Sequence, residues 1–160
     1  MAQWTSIIIS ILLAALSAGV ASTTGPTPRP VRSAGAKHAV LPADDRAWRA
    51  GPAGMPAGSR FAILSGEPMQ AASFVMRVEL PEGYSIPPYR RAHDESIIVL
   101  AGTLEIGSGT RFEPSALRAL PTGSFVTLPA NEAHFLRTQP GATVQIFGLG
   151  PFEAEYIENR

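Results

Sequence analysis

Residues 73–80, Ser-Phe-Val-Met-Arg-Val-Glu-Leu, alternate strictly. Phe74, Met76, Val78 and Leu80 fall on one face, and Ser73, Val75, Arg77 and Glu79 on the other. A period of two predicts a strand packed on one side and wetted on the other, as in antiparallel sheets. Further short apolar runs at 96–100, 104–106, 124–128, 134–136, 143–147 and 155–157 predict more strands. Ala101-Gly102-Thr103, Gly107-Ser108-Gly109, Pro121-Thr122-Gly123 and Pro140-Gly141 stand between them as turn chemistry. The pattern before this block is different. Residues 44–50 read as one helical turn or a loop around Trp48, and 51–58, rich in Gly and Pro, as a loop. Many short strands with frequent turns predict an all-β fold, a sandwich or barrel of short antiparallel strands, for which the jelly roll is a common solution.

The first 21 residues carry no charged side chain, and 7–16 form a compact apolar run followed by Gly19-Val20-Ala21. Spanning a hydrocarbon core of ~30 Å takes ~20 apolar residues, so the run has the size of a signal-peptide core. We expect a signal peptide at 1–21, cleaved after Ala21, and a periplasmic or secreted product with no membrane attachment after cleavage. An uncleaved anchor is the alternative. Residues 22–37 contain almost no large apolar side chain and read as a disordered linker. The expected domain is single and covers 38–160, with His38 at its surface.

Composition narrows the chemistry. Thirteen basic and 13 acidic side chains cancel, which removes the electrostatic footprint of a nucleic-acid binder. There is no cysteine, hence no disulfide, thiolate nucleophile or Cys-ligated metal. No Walker, dinucleotide or G-x-S-x-G pattern is present.

Two stretches carry a resemblance. In 83–102, Gly83, Tyr89, Arg91, Glu95 and Gly102 stand in the register of a G-x5-H-x-H-x3,4-E-x6-G motif. In 123–138, Gly123, Pro129, Asn131, His134 and Thr138 stand in the register of G-x5-P-x-G-x2-H-x3-N. The chain thus resembles the cupin superfamily over about 61–157, and within it small exported single-domain members. The resemblance implies a cupin-type jelly-roll barrel, and a homodimer as partner state. It transfers metal-ligand roles to Glu95 and His134 only, since Tyr89 and Arg91 occupy both motif-1 histidine positions. His93 shares strand parity with Glu95 and is the one candidate third ligand, although a bend before Glu95 would leave it exposed. If a metal site survives, Glu95, His134 and His93 would hold Fe, Mn, Ni, Zn or Cu.

The exchanges suggest another arrangement, with no cofactor. Arg91, four residues from Glu95 and always charged, would replace the cation and hold the carboxylate through two hydrogen bonds. Thr143, Gln145 and Phe147 share one face of their strand, and relatives often carry a further histidine at the Phe147 position. The expected ligand-binding set is therefore Tyr89, Arg91, Glu95, His134 and Gln145, taking a small molecule, such as an anion held by Arg91. The alternatives are a metal-dependent dioxygenase- or isomerase-like enzyme, a metal-free enzyme using Tyr89 or His134 as acid or base, and a non-catalytic structural or interaction module.

Overall fold

In a computed structural model, residues 41–42, 46–52 and 54–158 are described, all within one compact unit, Ala39–Arg160. The readings for 1–21, 22–37 and His38 lie outside the described residues.

Among the described residues ten strands follow in order: β1 (Arg49–Ala50), β2 (Arg60–Ser65), β3 (Ser73–Leu80), β4 (Ser85–Arg90), β5 (Glu95–Ser108), β6 (Arg118–Pro121), β7 (Phe125–Leu128), β8 (His134–Arg137), β9 (Ala142–Leu149) and β10 (Glu155–Tyr156). Every pairing is antiparallel. One sheet runs β1-β2-β3-β9-β5-β7 and the other β6-β5-β8-β4-β10, joined because β5 belongs to both. Its first half pairs with β9 and β7, and its second half, from Thr103, with β6 and β8. This is the jelly-roll barrel that the turn-rich pattern predicts.

The long β5 corrects the expectation of separate strands at 96–100 and 104–106. Gly102 does not end the strand; it bends it. Its φ is 74°, and a Cβ there would lie 2.1 Å from the carbonyl oxygen of Gly141. Only glycine fits a left-handed position with a backbone that close. β4, which runs through Pro87-Pro88, was not among the expected strands. Its register with β8 is broken between Ile86 and Tyr89, where the prolines lack N–H, yet the Pro88 carbonyl still accepts from Ile157 N at 2.9 Å. β6 was also unforeseen. At 46–50 the chain forms no helical turn among the described residues; Arg49–Ala50 instead pairs with β2.

The core lies between the sheets. Phe74, Met76, Val78 and Leu80 of β3 are all buried, as their alternation requires. They meet Val144 and Ile146 of β9, Ile97 and Val99 of β5, and Ile86, Leu104 and Leu136 of the opposite sheet. Each such aliphatic side chain contributes about 1.5–3 kcal/mol by leaving water.

Candidate functional site

β4 ends at Arg90, residues 91–94 form a bend, and β5 begins at Glu95. The bend is held against the loop before β8 by two bonds. Asn131 N donates to the Arg91 carbonyl at 2.8 Å, and Ala130 N donates to Asp94 Oδ1 at 2.7 Å. Asn131 has φ 62°, so it takes the left-handed conformation of the glycine it replaces, which asparagine tolerates better than most residues. Thr138, at the motif asparagine position, is fully buried and donates Oγ1 to the Thr103 carbonyl at 2.7 Å.

This framework gathers four polar side chains into an apolar interior. Tyr89, Arg91, Glu95 and His134 are 3%, 7%, 4% and 3% exposed. Tyr89 and His134 are cross-strand partners, with ring centroids 4.3 Å apart in an edge arrangement. Arg91 Nε lies 2.9 Å from Glu95 Oε1. The expected two-bond fork is not formed: the contact is an ion pair without hydrogen-bond alignment, and Arg91 Nη1 has no partner among the described residues. The guanidinium carbon instead sits over aromatic rings, 3.6 Å from the Phe152 centroid and 5.1 Å from that of Tyr89. Phe152 was missed from the sequence because it arrives on a connecting segment with no strand periodicity to expose its facing.

Burial dominates the electrostatics. It pushes the Glu95 carboxyl up from its ordinary value, and the Arg91 charge only partly opposes this. It raises the Tyr89 phenol as well, with the Glu95 charge adding to the effect. His134 is pushed down to about 4, by burial first and the Arg91 charge besides, against the opposing pull of the Glu132 carbonyl. His134 Nδ1 sits 3.1 Å from that carbonyl. The ring is thus neutral at pH 7, with the proton assigned to Nδ1 and a bare Nε2 that has no partner among the described residues.

Two expected site residues are elsewhere. Gln145 pairs in register with Arg77 of β3 and accepts a 2.7 Å bond from Arg77 Nη2 on the outer face of the sheet. Thr143, Gln145 and Phe147 do share a face, but Ala142, Val144 and Ile146 are the residues turned inward, and apolar burial decides the choice. His93 is half-buried in the bend. Among the described residues no three His, Cys, Asp or Glu side chains come together to hold a metal ion, so His93 does not complete a set with Glu95 and His134. Two donors beside a fixed guanidinium charge do not fit a divalent cation, which commonly takes three protein ligands.

Between the sheets there is a cavity of only about 20 Å³, lined by Tyr89, Arg91, Glu95, Ile146, Phe152 and Met55 among others. That is room for about one water.

The sheet order, the motif-bearing bends and the four inward polar groups place the architecture. Solved structures match it at several points of comparison. A candidate acetylacetone dioxygenase from Methylibium petroleiphilum PM1 superposes with TM-score 0.61 at 16% identity, over 78% of this chain and 83% of that one. An RmlC-like cupin from Shewanella frigidimarina matches with TM-score 0.54 at 12% identity, over 73% and 95%. This chain has the cupin fold. KdgF from a Halomonas species gives TM-score 0.53 at 16% identity, over 70% and 95%. No family model matches the chain, and no curated protein matches it by sequence. At such identities the likeness among cupins carries the fold alone.

Proposed function

We propose that this cupin binds a small molecule without metal chemistry, through Arg91, Glu95 and His134. The observation that carries the reading is the set of buried polar atoms with no hydrogen-bond partner, Arg91 Nη1 and His134 Nε2 above all, in an otherwise apolar barrel. A buried unsatisfied group costs about 1–3 kcal/mol. A ligand that accepts from the guanidinium and donates to the bare imidazole nitrogen removes both costs. The dioxygenase name of one structural neighbour would require a metal that this donor set does not fit, so metal-dependent oxygen or isomerase chemistry is not our reading.

A second reading is favoured by the near-filled interior, which leaves about 20 Å³. On it, the protein is a structural or interaction module. Thermal shift decides between the two. Wild type and the pair variant Arg91→Met/Glu95→Gln are screened against acetate, pyruvate, lactate, succinate, benzoate and neutral amides of the same acids. A rise in Tm with at least one compound, absent in the pair variant, supports binding. No rise with any of them supports the structural module.

A further inference from the structure

The barrel is closed differently on its two sides. On one, β5 runs through both sheets; on the other, the sheets end in β1-β2 and in β4-β10, which do not pair with each other. The loop between β1 and β2 reaches across that gap. Tyr156 of β10 donates its hydroxyl to the Gly54 carbonyl, and Tyr84, just before β4, donates to the Pro56 carbonyl at 2.6 Å. Side chains of one sheet thus hold a loop that belongs to the other. Gly54 and Gly58 bracket this strap at φ 81° and 108°, a region that glycine enters without strain.

Met55 sits between the two tethered carbonyls, half-buried, with a different space on each side. Inward it lines the cavity of about 20 Å³, together with Tyr89, Arg91, Glu95 and Phe152. Outward it lines a groove of about 390 Å³ with Gly54, Pro56, Pro87 and Tyr156, a volume in the range of small-molecule sites. The groove side chains are apolar, and the Tyr156 hydroxyl is already engaged by the strap. An unbranched thioether with three rotatable bonds separates the two spaces, and methionine adapts to new surroundings more readily than other core side chains. On the inner side Arg91 Nη1 and Glu95 Oε1 are buried without a hydrogen-bond partner among the described residues.

We propose that Met55 is the gate of the ligand site: when the strap at 54–58 moves aside, the inner cavity and the outer groove become one site, which takes an unbranched amphiphile with a small uncharged head, such as a primary amide or alcohol. This rests on the small-molecule reading above and adds the route and the ligand class. The head meets Arg91 and Glu95. An anionic head would lie against Glu95 and a cationic one against Arg91, so the match is an uncharged head that both accepts and donates. The tail takes the place of the Met55 side chain and runs out along Pro56, Pro87 and Tyr156. The near-filled interior is then the closed form of the site.

Titration calorimetry on the purified protein at about pH 7 compares hexanamide, 1-hexanol, hexanoate and acetamide. Hexanamide or hexanol is expected to bind saturably, and hexanamide roughly tenfold or more tighter than acetamide, since each buried methylene is worth about fourfold. Arg91→Met/Glu95→Gln is expected to abolish the binding. Met55→Ala removes the side chain that competes with the tail and is expected to tighten hexanamide roughly tenfold. In Tyr84→Phe/Tyr156→Phe, which lacks both tethers, the amides of Met55, Ala57 and Gly58 are expected to exchange hydrogen roughly tenfold faster or more, with the β3 amides unchanged. Hexanoate binding as tightly as hexanamide would overturn the uncharged head. Binding that disappears in Arg91→Met/Glu95→Gln yet is the same in wild type, Met55→Ala and the tyrosine variant would overturn the gate and leave the functional reading standing. Strap and β3 amides that speed up together would make the strap part of the cooperative core and would likewise overturn the gate. Absence of binding of all these compounds by both wild type and Met55→Ala would overturn this ligand class, while the broader screen above judges the functional reading separately.

Discussion

Removing Arg91 tests the central electrostatic claim directly. Glu95 is 4% exposed, and its one counter-charge among the described residues is the guanidinium at 2.9 Å. In Arg91→Met the carboxylate must either stay charged in a low dielectric or take up a proton. Protonation sets the ceiling. A carboxyl with an ordinary value of 4.5, kept neutral in the fold at pH 7, costs about 3 kcal/mol at ~1.4 kcal/mol per pH step. Loss of the guanidinium stacked on Phe152 adds about 1–2 kcal/mol. The total is therefore at most about 4–5 kcal/mol, less what the raised wild-type value already costs, to be compared with the ~3–5 kcal/mol found when one partner of a buried pair is deleted.

The sign of the pH dependence follows. A carboxyl whose folded value is raised contributes stability below its unfolded value and loses it as pH rises toward the folded value. Wild type already shows this direction, because burial outweighs Arg91 at Glu95. Without Arg91 the folded value rises further, so the destabilisation must grow with pH. Urea unfolding at about pH 7 and about pH 5 measures it. Arg91→Met should recover most of the protonation cost at the lower pH, leaving chiefly the packing loss. Glu95→Gln should not recover, because Arg91 cannot shed its charge. The pair variant should be no worse than the milder single. A cost below about 1 kcal/mol at pH 7, or one that does not change with pH, would refute Arg91 as the counter-charge of Glu95.

Other outcomes follow from the same geometry. His134 is neutral in the fold down to about 4 but titrates at 6.5 when unfolded, so its contribution is intact above 6.5 and is lost as pH falls toward 4, by up to about 3 kcal/mol. The difference in unfolding free energy between wild type and His134→Phe, followed from pH 7 to pH 4, should therefore shrink. Gly102→Ala drives a Cβ against the Gly141 carbonyl and should cost more than about 2 kcal/mol in urea unfolding. Gly83→Ala has a similar φ of 70° but nothing within 4 Å, and should cost about 1 kcal/mol. Tyr89→His/Arg91→His supplies the donors that the motif lacks and removes the resident cation. Elemental analysis after loading with Zn(II) or Ni(II) should then find about one ion per chain, lost again when Glu95→Gln is added.

What could be read in advance follows from where each residue's facing is decided. β3 was legible because one of its faces is wholly buried, which forces a period of two over eight residues. Tyr89, Arg91, Glu95 and His134 were legible because motif spacing fixed their register, and all four do converge. Gln145 was not, because its facing depends on how β9 aligns with β3, and both of its faces are mixed enough to hide that choice. Gly102 and Pro87-Pro88 carry real local signals, but each marks a bend or a register break inside a strand rather than its end. Met55 and Phe152 reach the interior from connecting segments. The long-range packing that places them leaves no short-range trace.

The retained glutamate is the strongest clue to how the site is balanced. With both motif-1 histidine positions given up, a divalent ion would have two ligands, and a guanidinium 2.9 Å from one of them repels it. Were Glu95 merely a remnant, burial alone would make it a liability of several kcal/mol, and glutamine would fill the same space. Its charge is matched instead by the arginine that takes a histidine position on the same bend. Arg91 is in turn fixed by aromatic stacking and by the Asn131 bond to its own carbonyl. Burial still holds the Glu95 carboxyl above its ordinary value despite that charge, and His134 beside the pair is neutral. The open valences of the interior are those of hydrogen bonding, at Nη1 and Nε2. An interior with those two open valences selects for a partner with matching donors and acceptors.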